Sequence, residues 1–297
     1  VNQASSAAGP DNCEWFFAAL ERKMRSCFAA VNDTRLHYLE WGEQSADAPT
    51  LVFVHGFRAS AHWWDAVAPF FIDDYRVLVP DLTGMGDSAH RGEYPADIYA
   101  KDLIALIEEQ CRGPVTVIGH SFGGARALQA CAARPDLFKH AIIIDSVILF
   151  DDEHRFRGPT VRGEKIYPDL KTAVSRFRLT PEQPDVLPEI VKHIARHSVR
   201  QVPGGWTWKF DWGITNIKPP DLQGTALLGQ IVTPTDFLYG EHSPIVSTTH
   251  AERIVASLTQ APKRGPTMLA GGYHHLMCDQ PLALTQHLRE LLAKPPA

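Results

Sequence analysis

The chain has 297 residues, 44% of them hydrophobic and 21% charged, with a formal net charge of −5. That is enough apolar material for one large core, or one core with a smaller insert, and it excludes a disordered chain. The slight acidic excess offers no basic surface for nucleic acid or anionic lipid, and no apolar run reaches bilayer length.

Residues 1–10 are small and polar, lack the apolar stretch of a secretory signal, and read as a loose tail. Cys13, Cys27, Cys111, Cys131 and Cys278 are widely spaced and contain no C-x-x-C pair. That spacing points to a cytoplasmic protein without a disulfide framework or zinc knuckle. Residues 11–24 carry an amphipathic helix pattern, with Asp11 or Asn12 as its cap. Residues 28–31 and 35–41 form a strand pair around the turn Asn32-Asp33. A buried strand over 50–54 ends at His55-Gly56, and a helix over 61–71 follows. The strand 75–79 runs into Pro80-Asp81-Leu82-Thr83-Gly84-Met85-Gly86-Asp87-Ser88, whose glycines suit a tight loop with Asp81 as its organiser. Residues 95–112 are helical, with Ile98, Leu103, Ile104, Leu106 and Ile107 near one face.

The most informative stretch is Val115-Thr116-Val117-Ile118-Gly119-His120-Ser121-Phe122-Gly123-Gly124. It reads as a strand, a very tight turn and the start of a helix, with Ser121 at the tip. Glycines at 119 and 123 are needed where a Cβ would collide with strand or helix. The serine hydroxyl is thereby pushed out at a helix N-terminus, where the dipole and free N–H groups favour developing negative charge. This stretch resembles the nucleophile elbow of the α/β-hydrolase family, in its serine-nucleophile, esterase-like branch. A serine there argues against the haloalkane dehalogenase and epoxide hydrolase branches, which use an aspartate.

The rest of the chain is read beside that resemblance. Residues 141–146 form an apolar strand closed by Asp145. Strand–helix alternation then stops until Thr235, and resumes with strands over 235–239 and 267–270 and helices over 248–258 and 282–293. The expected fold class is α/β: a mostly parallel central sheet covered by helices on both faces, with an inserted, mainly helical cap. Residues 11–149 and 222–297 form the core and 150–221 the cap, which includes a Trp-rich loop over 204–212.

A neutral serine needs a base, itself oriented by a carboxylate. The family's late G-H motif, measured back from Asp279 and Pro281, selects His274, with His275 as its competitor. The family's usual acid position, in the loop Gly240-Glu241-His242-Ser243, holds a serine here. Asp145 at its strand end is preferred as the acid, with Glu241 as the alternative, whereas Asp236 begins its strand and should lie at the far end of the sheet. The resemblance further implies an oxyanion hole from the backbone N–H groups of Phe57 and Phe122. His120, Trp206, Trp208 and His275 are pocket candidates.

These roles call for no cofactor and no metal, and for a small-molecule partner, with neither nucleic acid nor membrane. His193 and His197 are four apart on a predicted helix, a spacing that can bind zinc, but the H-E-x-x-H glutamate is missing, so a structural face is the favoured reading. The leading expectation is a serine hydrolase of a small, partly apolar carboxylic ester. Lactone, thioester or C–C hydrolysis, a cofactor-free lyase or perhydrolase, and a non-catalytic binder on the same fold are the alternatives. Nothing in the sequence sets the oligomeric state.

Overall fold

The computed structural model describes residues 13–42, 48–150, 163–216 and 224–296. Ten strands occur among them: β1 Met24–Val31, β2 Thr34–Trp41, β3 Thr50–Val54, β4 Arg76–Pro80, β5 Val115–His120, β6 Phe138–Ile144, β7 Val199–Val202, β8 Gly205–Trp208, β9 Thr235–Gly240 and β10 Lys263–Leu269. The helices are α1 Glu14–Leu20, α2 Ile98–Gln110, α3 Phe122–Ala133, α4 Leu170–Ser175, α5 Pro188–His197, α6 Gly224–Leu228, α7 Thr248–Ser257, α8 Leu276–Asp279 and α9 Pro281–Ala293.

Eight strands form one sheet in the order β1-β2-β4-β3-β5-β6-β9-β10. The pairs β1–β2 and β2–β4 are antiparallel, and every pair from β4 to β10 is parallel. Alternation along each strand feeds two cores. In β3, Val52 and Val54 enter the core shared with α2, α3 and α7, while Leu51 and Phe53 enter the core shared with α1, α5 and α9. Both faces are therefore covered, which explains why the central strands are near-continuous apolar runs.

Four expectations shift. The first helix is shorter than the pattern over 11–24, because Met24 pairs with Trp41 and begins β1. The proposed caps Asp11 and Asn12, and the tail 1–10, lie outside the described residues. The helix expected over 61–71 is instead two 3-10 turns, Ala61–Trp64 and Ala68–Phe71, since Pro69 has no N–H for an α-helical bond and crowds the preceding turn. The Trp-rich loop is partly the antiparallel ribbon β7–β8, in which Trp206 pairs with Gln201 and Trp208 with Val199. Between β6 and β9 the described residues thus hold helices α4, α5 and α6 together with this ribbon, where the sequence suggested a mainly helical segment with a Trp-rich loop. No helix among the described residues is long and apolar enough to cross a membrane.

The close approach of α3 to the sheet rests on glycine. A Cβ on Gly119 would sit 2.6 Å from Gly124 Cα, and one on Gly123 would sit 2.3 Å from the His55 carbonyl oxygen. Backbone on both sides leaves no flexible neighbour to yield. Gly123→Ala should therefore lower stability by about 2–3 kcal/mol and the melting temperature by roughly 5 °C; an unchanged melting curve would contradict this packing.

Candidate active site

The parallel register brings the ends of three strands together. His120 at the end of β5 pairs with Ile144 at the end of β6, and Ile144 pairs with Leu238 of β9. The next residue on β5 is Ser121, and the next on β6 is Asp145, so the two start as neighbours at the carboxyl edge. Both turn sharply there. Ser121 has φ 52° and Asp145 φ 45°, left-handed values that non-glycine residues rarely adopt. Each is pinned by its own N–H: Ser121 donates to the Ile144 carbonyl at 2.9 Å, and Asp145 donates to the Leu238 carbonyl at 2.8 Å. Ser121 also caps α3, so its hydroxyl stands at the helix N-terminus, and it remains half-buried while Asp145 is fully buried.

Asp145 accepts three hydrogen bonds. His274 Nδ1 and Ser243 Oγ donate to Oδ1 at 2.8 and 2.7 Å, and the Gly240 N–H donates to Oδ2 at 2.8 Å. A carboxylate only accepts, so Nδ1 of His274 carries the hydrogen and Nε2 keeps its lone pair. That tautomer suits a base. Ser243 in turn accepts the N–H groups of Ile245 and Val246, both at 3.1 Å, which fixes its hydroxyl toward Asp145. His274 is held from behind as well. His120 Nε2 donates to its carbonyl at 2.8 Å, and the two rings lie 4.8 Å apart.

The loop after β3 lies against the elbow. A Cβ on Gly56 would come within 3.4 Å of Ser121 Cβ. The next residue, Phe57, sets its ring 5.4 Å from that of Phe122. Phe122 opens α3, so its N–H has no helical partner four residues back. This loop is shaped by Asp81, whose Oδ1 accepts the Ala61 N–H at 2.6 Å and whose Oδ2 accepts His37 Nδ1 and the Asp87 N–H, both at 2.7 Å. His55 Nε2 accepts the Leu82 N–H at 3.0 Å and its Nδ1 donates to the Gly56 carbonyl at 2.8 Å, which locks the His-Gly turn to the Asp81 loop.

Comparison with known proteins places the fold in a family. Residues 51–286 match the family described as the alpha/beta hydrolase family. The chain belongs to the alpha/beta hydrolase family. It is 26% identical over 264 residues to the esterase Rv0045c of Mycobacterium tuberculosis, covering 86% of this chain and 85% of that protein. Among solved structures, E-2-(acetamidomethylene)succinate hydrolase superposes with a TM-score of 0.77 at 19% identity, covering 91% of this chain and 100% of that one. The thioesterase domain from the curacin biosynthetic pathway superposes with a TM-score of 0.75 at 24% identity, covering 90% and 100%. At those identities the two structures speak for the hydrolase fold alone.

Within this alpha/beta hydrolase, the site residues expected from sequence are not all in one place. His274 meets Asp145 and lies beside His120 and His275, while Gly56 lies against His120 and Ser121, and Phe57 against Phe122. Of the three candidate carboxylates, Asp145 meets His274, whereas exposed Glu241 accepts the Gly271 N–H at 2.8 Å. Asp236 lies low on its strand, bound to His140 and Arg264. His120 is 1% exposed, and its Nε2 is occupied by the His274 carbonyl, so it backs the site more than it lines a pocket. Burial, with His274 and His275 beside it, holds its ring well below the ordinary histidine range. His275 is pushed down to about 3 by burial and by His274, and its ring lies 5.2 Å from that of Trp63. Trp206 and Trp208 pack into a small core with Tyr167, Ala173 and Val199. Trp208 reaches toward the site only through Phe177 and Trp63, in ring contacts of 6.2 Å each. Two surface hollows, one beside Asn32 and His90 and one beside Trp15 and Arg289, share no residue with the site.

Sequence reading missed Arg58 and the role of Ser243. Arg58 has φ 57°, and its guanidinium sits 5.0 Å from the rings of both Phe57 and Phe210, where burial lowers its pKa. Only the aromatic residues in both segments hinted at it. Ser243 stands where the family usually has its acid, and the structure makes it a hydrogen-bond donor to Asp145 one strand away.

Two predictions follow from this geometry. Asp145→Asn should reduce turnover about 10³–10⁴-fold, Ser243→Ala about 10–100-fold through loss of a charge-assisted hydrogen bond, and Glu241→Gln little. A large loss in Glu241→Gln alone would move the acid. The second concerns Asp279, whose carboxyl burial pushes up to about 6 while its Oδ2 accepts the Tyr273 N–H at 2.7 Å. A raised folded-state pKa means its stabilising contribution is complete below about pH 4 and is lost as pH rises through about 6. Asp279→Asn should therefore be more stable than wild type at pH 7.5, by about 1–2 kcal/mol, with the difference vanishing near pH 4; urea midpoints at the two pH values read this, and a less stable variant at pH 7.5 would refute it.

Proposed function

We propose that this alpha/beta hydrolase is a serine esterase that cleaves a small, partly apolar carboxylic ester through an acyl-enzyme. The observation that carries the reading is the His274–Asp145 hydrogen bond at 2.8 Å, formed one residue beyond the strand end adjacent to the strained Ser121 turn. A buried carboxylate, a histidine with its Nε2 lone pair free to act, and a serine at a helix N-terminus are the parts that acyl transfer needs. Similarity over 86% of this chain to an esterase of M. tuberculosis supports the same bond type.

In this mechanism Ser121 Oγ attacks the ester carbonyl carbon while its proton passes to His274 Nε2. Asp145 stabilises the imidazolium that forms. Charge moves to the carbonyl oxygen, where the Phe57 and Phe122 N–H groups receive it. The tetrahedral intermediate collapses, the C–O bond breaks, and His274 gives its proton to the departing alcohol. Water then adds to the acyl-enzyme, with His274 as base, and releases the acid and free Ser121.

We read residues 150–221 as a cap on this site. Its described part touches the core on either side of Ser121: the Leu187 N–H donates to the Cys278 carbonyl at 3.0 Å, Gln183 Oε1 accepts the His275 N–H at 2.8 Å, and the Asp211 N–H donates to the Gly84 carbonyl at 2.7 Å. The relay from Trp208 through Phe177 and Trp63 to His275 makes an apolar wall beside the histidines.

The test is intact-mass labelling with a fluorophosphonate, followed by hydrolysis assays on short-chain aryl esters, thioesters and lactones. One adduct on wild type, absent in Ser121→Ala, with esters turned over fastest, is the expected result. An adduct with lactones or thioesters preferred would change the bond assigned. No adduct on folded protein would favour a non-catalytic binder.

A further inference from the structure

The sequence placed His193 and His197 one turn apart on a helix, and the structure adds a third histidine and a buried carboxylate. His62, in the 3-10 turn Ala61–Trp64 of the core, stacks on His197 with ring centroids 3.7 Å apart. The His193 and His197 rings are 4.5 Å apart, and those of His62 and His193 5.9 Å. One nitrogen from each of the three lies within 4.8 Å of the others. We propose that His62, His193 and His197 form a binding site for a divalent transition-metal ion of zinc-like preference, which fastens α5, in the segment between β6 and β9, to the core. This site is independent of the chemistry assigned to Ser121.

Asp65 prepares the ligands. Its Oδ2 accepts both His62 Nδ1 at 2.7 Å and His193 Nε2 at 2.6 Å. Because the carboxylate only accepts, both of those nitrogens carry hydrogen. His62 Nε2 and His193 Nδ1 are left as lone-pair donors in fixed orientation, the arrangement that metal-bound histidines take from a carboxylate behind them. Asp65 is 4% exposed, and its Oδ1 is buried without a hydrogen-bond partner among the described residues. His197 stacks on His62, and neither of its ring nitrogens makes a hydrogen bond among the described residues, which leaves a lone pair for an ion.

The geometry is close to what an ion needs. Three nitrogens at tetrahedral positions around zinc lie about 3.3 Å apart, given Zn–N bonds near 2.0–2.1 Å. The three rings already share one site, with a nitrogen of each within 4.8 Å of the others, and binding an ion would require the rings to turn so that their lone-pair nitrogens converge. The fourth position is left to water. Without the glutamate of an H-E-x-x-H helix, the site lacks a base for metal-assisted hydrolysis, which points to a structural or regulatory ion. His120, His274 and His275 form a second cluster with nitrogens equally close. There, however, His274 Nδ1 is bound to Asp145 and His120 Nε2 to the His274 carbonyl, so an ion would have to take the lone pair that the proposed base uses.

The experiment separates the two clusters. The whole chain, stripped with chelator, is titrated with Zn²⁺ by calorimetry and with Co²⁺ by visible absorption. Wild type, His197→Phe and His274→Ala are compared; the phenylalanine keeps the stacked ring and removes the ligand nitrogens. The expected result is one ion in wild type and in His274→Ala with equal affinity, and binding at least about 100-fold weaker in His197→Phe. Zinc should also raise the melting temperature of wild type and not of His197→Phe. Equal binding in His197→Phe, loss in His274→Ala alone, or no ion taken up by wild type would each overturn the site. If His197→Phe does not fold, anomalous scattering from zinc-soaked wild-type crystals decides: a peak among His62, His193 and His197 supports the site, and a peak elsewhere or none refutes it.

Discussion

The buried carboxylate of Asp145 is the constraint on which the rest of the site depends. A charge with no exposed surface is tolerated only when donors replace the lost water. Here the donors come from two different places in the chain. The Gly240 N–H and the Ser243 hydroxyl belong to the end of β9 and its loop, and His274 belongs to the loop after β10. Satisfying one carboxylate therefore ties the carboxyl edges of β6, β9 and β10 together. It also sets the tautomer and direction of the imidazole. The left-handed backbone at Asp145 is the conformation that turns its side chain away from the strand and toward these donors.

A second buried carboxylate does the same work on the other side of Ser121. Asp81 collects His37 from β2, the Ala61 N–H from the turn after β3, and the Asp87 N–H from its own loop. Burial would raise its pKa, but the bond from His37, the neighbouring His55 and the Asp87 N–H hold it below the usual range. The Gly86 position shows how tight that loop is, since a Cβ there would overlap the Asp81 carboxylate at 2.1 Å. The two carboxylates bracket the elbow. One holds the imidazole, and the other holds the turn from which Phe57 faces Phe122.

The segment between β6 and β9 is attached by polar contacts at its margins and by aromatic rings near its middle. Its own core is small, formed by Tyr167, Ala173 and Val199 with Trp206 and Trp208 against it. Much of its placement thus comes from what it touches on the main core. Asp65 is one such anchor, buried in the core and bound to His193 of α5. Gln183 and Leu187 are others, gripping the backbone just before α8 at His275 and within it at Cys278.

How far these features could be read from the chain depends on the range of the forces behind them. Alternation of apolar residues, the proline that breaks a helix at 69, and the glycines at 119 and 123 act over a few residues. The parallel sheet, its covering helices and the serine elbow were therefore legible from sequence alone. So was the selection of His274 as the candidate base, because its spacing to Asp279 and Pro281 is local. Which carboxylate meets that histidine was a preference and not a derivation, because Asp145 and His274 become neighbours only once β6 lies beside β9 and β9 beside β10. The same is true of His62, which nothing in its own surroundings connects to His193 and His197. Local sterics and periodicity determine the elements. Partners for buried charges and imidazoles are chosen by strand order and layer packing, which bring together residues that no short stretch of sequence places side by side.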